Sequence, residues 1–212
     1  MTLLIVYLHV FFALTIHTTA MALIAIRCDV GIREIAYGFG PTVARFNVRS
    51  HPIAIRLLQF GGYVLVKGDN DELPDIVGRS IDDLPGYRSA AIFTAGITVL
   101  IVISFSILGL SVFSIMYNGY VIFILGALDP NGLGQEVIAG ILSMCDEHTM
   151  ETMFARTCAV IAAINLLPPG SNGIDALIRI ARIRNRAIYT GGAYVSLLFT
   201  LFAIIAWLVA LI

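Results

Sequence analysis

Hydrophobic residues in this chain gather into long unbroken runs rather than into the short amphipathic stripes of a soluble domain. Residues 3–26 read LLIVYLHVFFALTIHTTAMALIAI with no formal charge, which exceeds the roughly 20 residues a helix needs to cross a hydrocarbon core. They predict a first membrane span. The run is too long for a signal-peptide core and lacks a basic leader and a clean cleavage site, so a retained helix is expected. Residues 27–88 are polar and punctuated by Gly and Pro, with alternating patches IREIAYGF, ARFNV and GGYVLVKG that predict short strands. Residues 90–114 are uncharged again and predict a second span. The 115–152 segment opens on the apolar stretch MYNGYVIFILGALDP, short for a crossing and broken by Gly and Pro, then turns acidic and amphipathic around Glu136–Glu151. An outside segment, interfacial or re-entrant, is expected there. Residues 153–168 predict a third span and 189–212 a fourth.

The fold class this pattern predicts is a mainly α-helical membrane protein. About four transmembrane helices and a small membrane-associated β-hairpin region between the first and second would form a single domain over 1–212. Composition agrees, since 58% of the 212 residues are hydrophobic and 13% charged, against about a quarter charged in soluble domains. The net charge of −1, without a basic patch, excludes the electrostatic footprint of a nucleic-acid binder. Lipids and another transmembrane protein or membrane complex remain as partners. Cys28, Cys145 and Cys158 form neither a CxxC pair nor a disulfide framework. Basic residues cluster in 27–88 and at Arg179, Arg182, Arg184 and Arg186, whereas 115–155 holds five acids and no base. By the positive-inside rule both termini face outside, in a bacterial-type inner membrane.

Four local features carry candidate chemistry. His17 sits in mid-span in the string His17-Thr18-Thr19-Ala20-Met21, where an imidazole is costly unless paired or turned into the bundle. Tyr37-Gly38-Phe39-Gly40-Pro41 and Gln59-Phe60-Gly61-Gly62-Tyr63-Val64 supply glycines for tight turns and close backbone approach. Ala95-Gly96 opens the second span with small residues suited to helix packing. Asn165-Leu166-Leu167-Pro168-Pro169-Gly170-Ser171-Asn172-Gly173 breaks the third span, and irregular backbone at membrane depth must be buried in protein or line a cavity. Each also has a plain reading as a packed histidine, ordinary turns or a helix-ending loop.

In this order the four features resemble the site-2 protease family (M50) of intramembrane zinc metalloproteases. The resemblance implies an HExxH on the first core helix, whose two histidines bind zinc and whose glutamate is the general base. That motif falls on His17, Thr18 and Met21. It implies a membrane-embedded β-hairpin with a GGY strand, matched by Gly61-Gly62-Tyr63. An Ala-Gly-Pro start of the second helix is matched by Ala95-Gly96, with Ile97 in place of Pro. It implies Asn-x-x-Pro followed by a zinc-binding Asp-Gly, matched by Asn165 and Pro168, with Asn172-Gly173 standing one residue closer than usual.

The departures bear on activity. Zinc hydrolases need about three protein ligands, an open position and a base, and of the implied set only the remnant ligand His17 survives. A threonine is no base at neutral pH, a thioether suits zinc poorly, and an amide is a weaker ligand than a carboxylate. His9 cannot replace the lost ligand, because it lies about 80° and some 12 Å from His17 on a helix. The expectation is a pseudoprotease: no intact catalytic residue, no cofactor, and a cleft for a partner's transmembrane segment. Gly61, Gly62, Tyr63, Asn165 and Asn172 would contact that partner. The alternative is an intramembrane metallopeptidase with an unconventional site, which would carry zinc.

Overall fold

A computed structural model describes residues 2–68, 76–166, 171–181, 198, 202–203 and 205–211. In chain order it has α1 (Thr2–Arg27), the strands β1 (Ile32–Val48) and β2 (His51–Val66), a 3-10 turn (Ile81–Asp83), α2 (Gly86–Leu108) and α3 (Ser111–Leu128). A π turn (Pro130–Gly134), α4 (Gln135–Glu147), α5 (Met150–Leu166) and α6 (Ser171–Ile180) follow. Three of these helices, α1, α2 and α3, are long and apolar enough to cross a membrane, and they mark an integral membrane protein.

The apolar run expected to be one span over 90–114 is divided. Gly109 takes a φ of 57°, a left-handed conformation that ends helices at little cost in glycine, and its N–H donates to the Phe105 carbonyl at 2.9 Å. The chain restarts as α3 at Ser111 and runs helically through the stretch expected to be an outside segment. Its glycines are packing points rather than breaks. A Cβ on Gly119 would strike Val160 of α5, and one on Gly126 would meet the Trp207 indole at 2.7 Å. The stretch expected to be the third span forms the helix α5, which is not one of the three span-length apolar helices, and residues 167 and 168 lie outside the described residues. Of the fourth, residues 198, 202–203 and 205–210 are helical and most of the others lie outside the described set.

The chain divides into two compact units. The first comprises Met1–Val10, Leu100–Ile174 and Arg184–Ile212. Within it α3 packs on α5, Phe123 stacks on Trp207 at 6.0 Å, and the Trp207 indole N–H donates to the Phe123 carbonyl at 3.3 Å. The fully buried Ser104 hydroxyl lies 2.8 Å from the carbonyl of Ala155, binding α2 to α5.

The second unit comprises Phe11–Val99 and Asp175–Ile183. Its α1 segment ends in a Schellman motif: Val30 N–H reaches the Ala25 carbonyl, Asp29 N–H reaches Ile26, and Asp29 takes a φ of 58°. β1 and β2 pair antiparallel about Arg49-Ser50, both at positive φ, as a two-residue hairpin turn requires. Gly38 and Gly40 bend β1 and Gly61 bends β2, all at positive φ. Ile35–Tyr37 therefore lies between two lengths of β2, Ile53–Ile55 on one side and Gly62–Val64 on the other. Residues 62–66 form an outer rail, with no strand paired on its far side among the described residues. Alternation splits the sheet into two faces. Ile35, Tyr37, Ile53 and Val64 pack with Ala22, Ala25 and Ile92 in the core, while Glu34, Arg45, Arg56 and Tyr63 meet on the other face.

Candidate functional site

The middle of α1 is clasped from two directions by glycines. His17, Thr18 and Met21 are 5%, 1% and 7% exposed, and the i, i+4 spacing puts His17 and Met21 on one helix face. A Cβ built on Gly96 of α2 would run into the His17 ring and stand 2.6 Å from its carbonyl oxygen. One built on Gly62 would stand 2.5 Å from Thr18 Oγ1 and 2.7 Å from the Ala36 carbonyl. Thr19 Oγ1 donates to the Thr15 carbonyl at 2.7 Å and lies 2.9 Å from the Tyr37 hydroxyl. The GGY and Ala-Gly motifs of the sequence thus serve close approach: one seats the sheet on Thr18, the other seats α2 on His17.

The donor chemistry at these positions is an imidazole, a hydroxyl and a thioether. Among the described residues, no three His, Cys, Asp or Glu side chains lie close enough together to share a metal ion. Hard or borderline cations prefer imidazole, carboxylate and thiolate, so this set does not fit a zinc hydrolase centre.

Tyr63 turns away from α1 to the opposite face. Its hydroxyl donates to Glu34 Oε1 at 2.8 Å, beside Arg56 Nη2 at 2.5 Å, and Arg45 Nη2 donates to Glu34 Oε2 at 3.0 Å. Arg56 also lies over the Tyr63 ring at 5.3 Å and donates to the Gly40 carbonyl at 3.0 Å. Burial pushes the Glu34 carboxyl up, but the Arg56 and Tyr63 hydrogen bonds and the Arg56 and Arg45 charges outweigh it and hold the group below its ordinary value. Gly61, at a φ of 145°, faces the Phe39 ring. Sequence reasoning passed over Glu34, although a single acid among four arginines in residues 32–66 signals a shared counter-ion.

Asn165 and Asn172 belong to the first unit and meet each other across the end of α5. Asn172 Nδ2 donates to Asn165 Oδ1 at 3.5 Å, and Asn165 Nδ2 donates to the Ile161 carbonyl at 2.9 Å. A Cβ on Gly173 would collide with the Leu166 carbonyl. The Asn-Gly pair at the start of α6 is therefore packed directly against the end of α5. Pro168, Pro169 and Gly170 lie outside the described residues.

Among known proteins, the family model for Peptidase family M50 matches residues 5–212. The Regulator of sigma-W protease RasP of Bacillus subtilis (strain 168) is 34% identical over 77 residues, which is 36% of this chain and 17% of that protein. The Zinc metalloprotease RasP of Oceanobacillus iheyensis is 36% identical over 62 residues, 29% of this chain and 15% of that protein. A protein of that name from Bacillus licheniformis is 32% identical over 77 residues, 36% of this chain and 17% of that protein. The matched stretches span about a sixth of these relatives' lengths.

Proposed function

This chain belongs to peptidase family M50, the site-2 proteases, and on that footing we propose that it is a non-hydrolysing member that binds and scaffolds a partner transmembrane protein. The observation that carries the reading is the packing at Thr18. Where the family's general base stands, this chain has a hydroxyl sealed beneath the backbone of Gly62 and 1% exposed. A threonine hydroxyl does not take the proton of an attacking water at neutral pH, and at 1% exposure this one is shut off from solvent. The neighbouring thioether of Met21 and the amide of Asn172, which donates to Asn165, are poor replacements for zinc ligands. No catalytic step follows from these groups.

Binding is supported by the outer rail. Residues 62–66 present a strand edge, and an extended segment of a partner could add to it with main-chain hydrogen bonds. The partner would be a membrane protein, because the rail packs on the middle of a span-length apolar helix. The basic residues of 27–88 favour a cytoplasmic β-region with the start of α1 outside, in a bacterial-type inner membrane.

Metal content decides between this reading and an unconventional metallopeptidase. The detergent-purified chain and its His17→Ala variant should both hold far less than one zinc per chain, and both should recover the same partner membrane protein. Near-stoichiometric zinc that vanishes in the variant would overturn the reading and send attention to a cleaved substrate.

A further inference from the structure

Glu34 is the only acidic residue between Ile32 and Val66, which also carry Arg33, Arg45, Arg49 and Arg56. Its carboxylate takes hydrogen bonds from three side chains that belong to three different lengths of the sheet. Arg45 comes from the hairpin arm, Arg56 from the return strand and Tyr63 from the outer rail. Arg56 extends the link, reaching the Gly40 bend through its Nη1 and covering the Tyr63 ring.

The Tyr63 end of this cluster lies beside the middle of α1, while the Arg45 side chain at its other end is 63% exposed. Gly62, next to Tyr63, touches Thr18, which precedes Arg27 at the end of α1 by nine residues, or about 14 Å along the helix axis. At that depth in a spanning helix an unpaired arginine is expensive. One carboxylate shared by Arg45 and Arg56 lowers the cost for both.

The tie to Tyr63 also selects register. Tyr63 faces Ala36 across the ladder, and successive side chains point to opposite faces. A slip of one residue would swing the Tyr63 hydroxyl to the α1 side and place a glycine or Val64 opposite Ala36. An outer strand with no neighbour beyond it among the described residues is the part of a sheet most open to such slippage.

We propose that Glu34 is the positioning residue of the outer rail: its carboxylate neutralises Arg45 and Arg56 and, through the Tyr63 hydroxyl, locks residues 62–66 in the one register that presents their free edge at the depth of His17 and Thr18. This rests on the reading of that edge as the partner's docking strand.

The test is amide hydrogen exchange, followed by mass spectrometry, on the full chain in lipid nanodiscs. Wild type would be compared with Glu34→Gln, which keeps shape but removes the charge, and with Tyr63→Phe, which removes one hydrogen bond. Exchange at residues 62–66 is expected to rise tenfold or more in Glu34→Gln and severalfold in Tyr63→Phe, while residues 13–25 of α1 stay at the wild-type rate. Unchanged exchange at 62–66 in Glu34→Gln would overturn the proposal. So would an equal rise in α1, because it would mean general loosening rather than positioning. The measurement is made on the chain alone, so its failure would remove the role of Glu34 and leave the scaffolding reading to the zinc and partner measurements.

Discussion

Gly96 of α2 and His17 of α1 are so close that one added methyl carbon would overlap the imidazole ring. The ring is buried at 5% exposure, and the helices approach this near only because position 96 has no side chain. Gly96→Ala should therefore destabilise the protein by about 1–3 kcal/mol, the usual range for overpacking. Thermal unfolding in detergent would measure it. The double variant with His17→Ala should recover part of the loss, because the ring clash disappears while the His17 carbonyl, 2.6 Å from the new carbon, remains.

Restoring the family's glutamate should not restore a site. Thr18→Glu places a longer, charged side chain where Oγ1 already abuts Gly62, so the expected result is a lower melting temperature without gain of zinc or of peptide hydrolysis. Melting, metal content and cleavage of a reconstituted membrane substrate would check the three parts separately.

Much of this geometry was legible in the sequence, and the rest was hidden for physical reasons. Glycine spacing pointed to Gly62 and Gly96, because only a missing Cβ admits such close approach. The same residue type misled at Gly119 and Gly126. A glycine inside an apolar run reads as a break until a partner such as Val160 or Trp207 is known to fill the space. Gly109 was the reverse case: it lay inside an uninterrupted apolar run, and only its positive φ reveals the division. The hydrogen bond between Asn165 and Asn172 was not legible, because it joins residues seven apart on two successive helices, which periodicity does not encode.

Ser104 offers a test of how much one hydroxyl contributes to helix association. Its Oγ is 2.8 Å from both the Leu100 carbonyl of its own helix and the Ala155 carbonyl of α5. Ser104→Ala should cost about 0.5–1.5 kcal/mol, in line with interhelical hydrogen bonds in membranes. Ser104→Thr, with an extra methyl at a fully buried position, should cost at least as much. Unfolding titrations in mixed detergent would rank the two.

Asp175 on α6 predicts a pH dependence. Burial pushes its carboxyl up to about 6, although the Arg179 charge pulls the other way. The unfolded chain releases this proton near the ordinary value of about 3.9. Between roughly pH 4 and 6 the folded state therefore holds the proton more tightly, and its stability falls as pH rises across that window. Asp175→Asn should flatten the slope and raise the melting temperature at pH 7. A melting series from pH 4 to 8 would show it.

From Ser89 to Leu128 the chain carries no charged side chain, and the only backbone interruption between α2 and α3 is the turn at Gly109-Leu110. The insertion machinery of the cell thus meets a hydrophobic length about twice that of one crossing, with no charge at its midpoint to stop transfer or to set direction. The two helices would enter lipid together as one unit. The orientation of α3 is then inherited from α2, whose own entry is marked by Arg88.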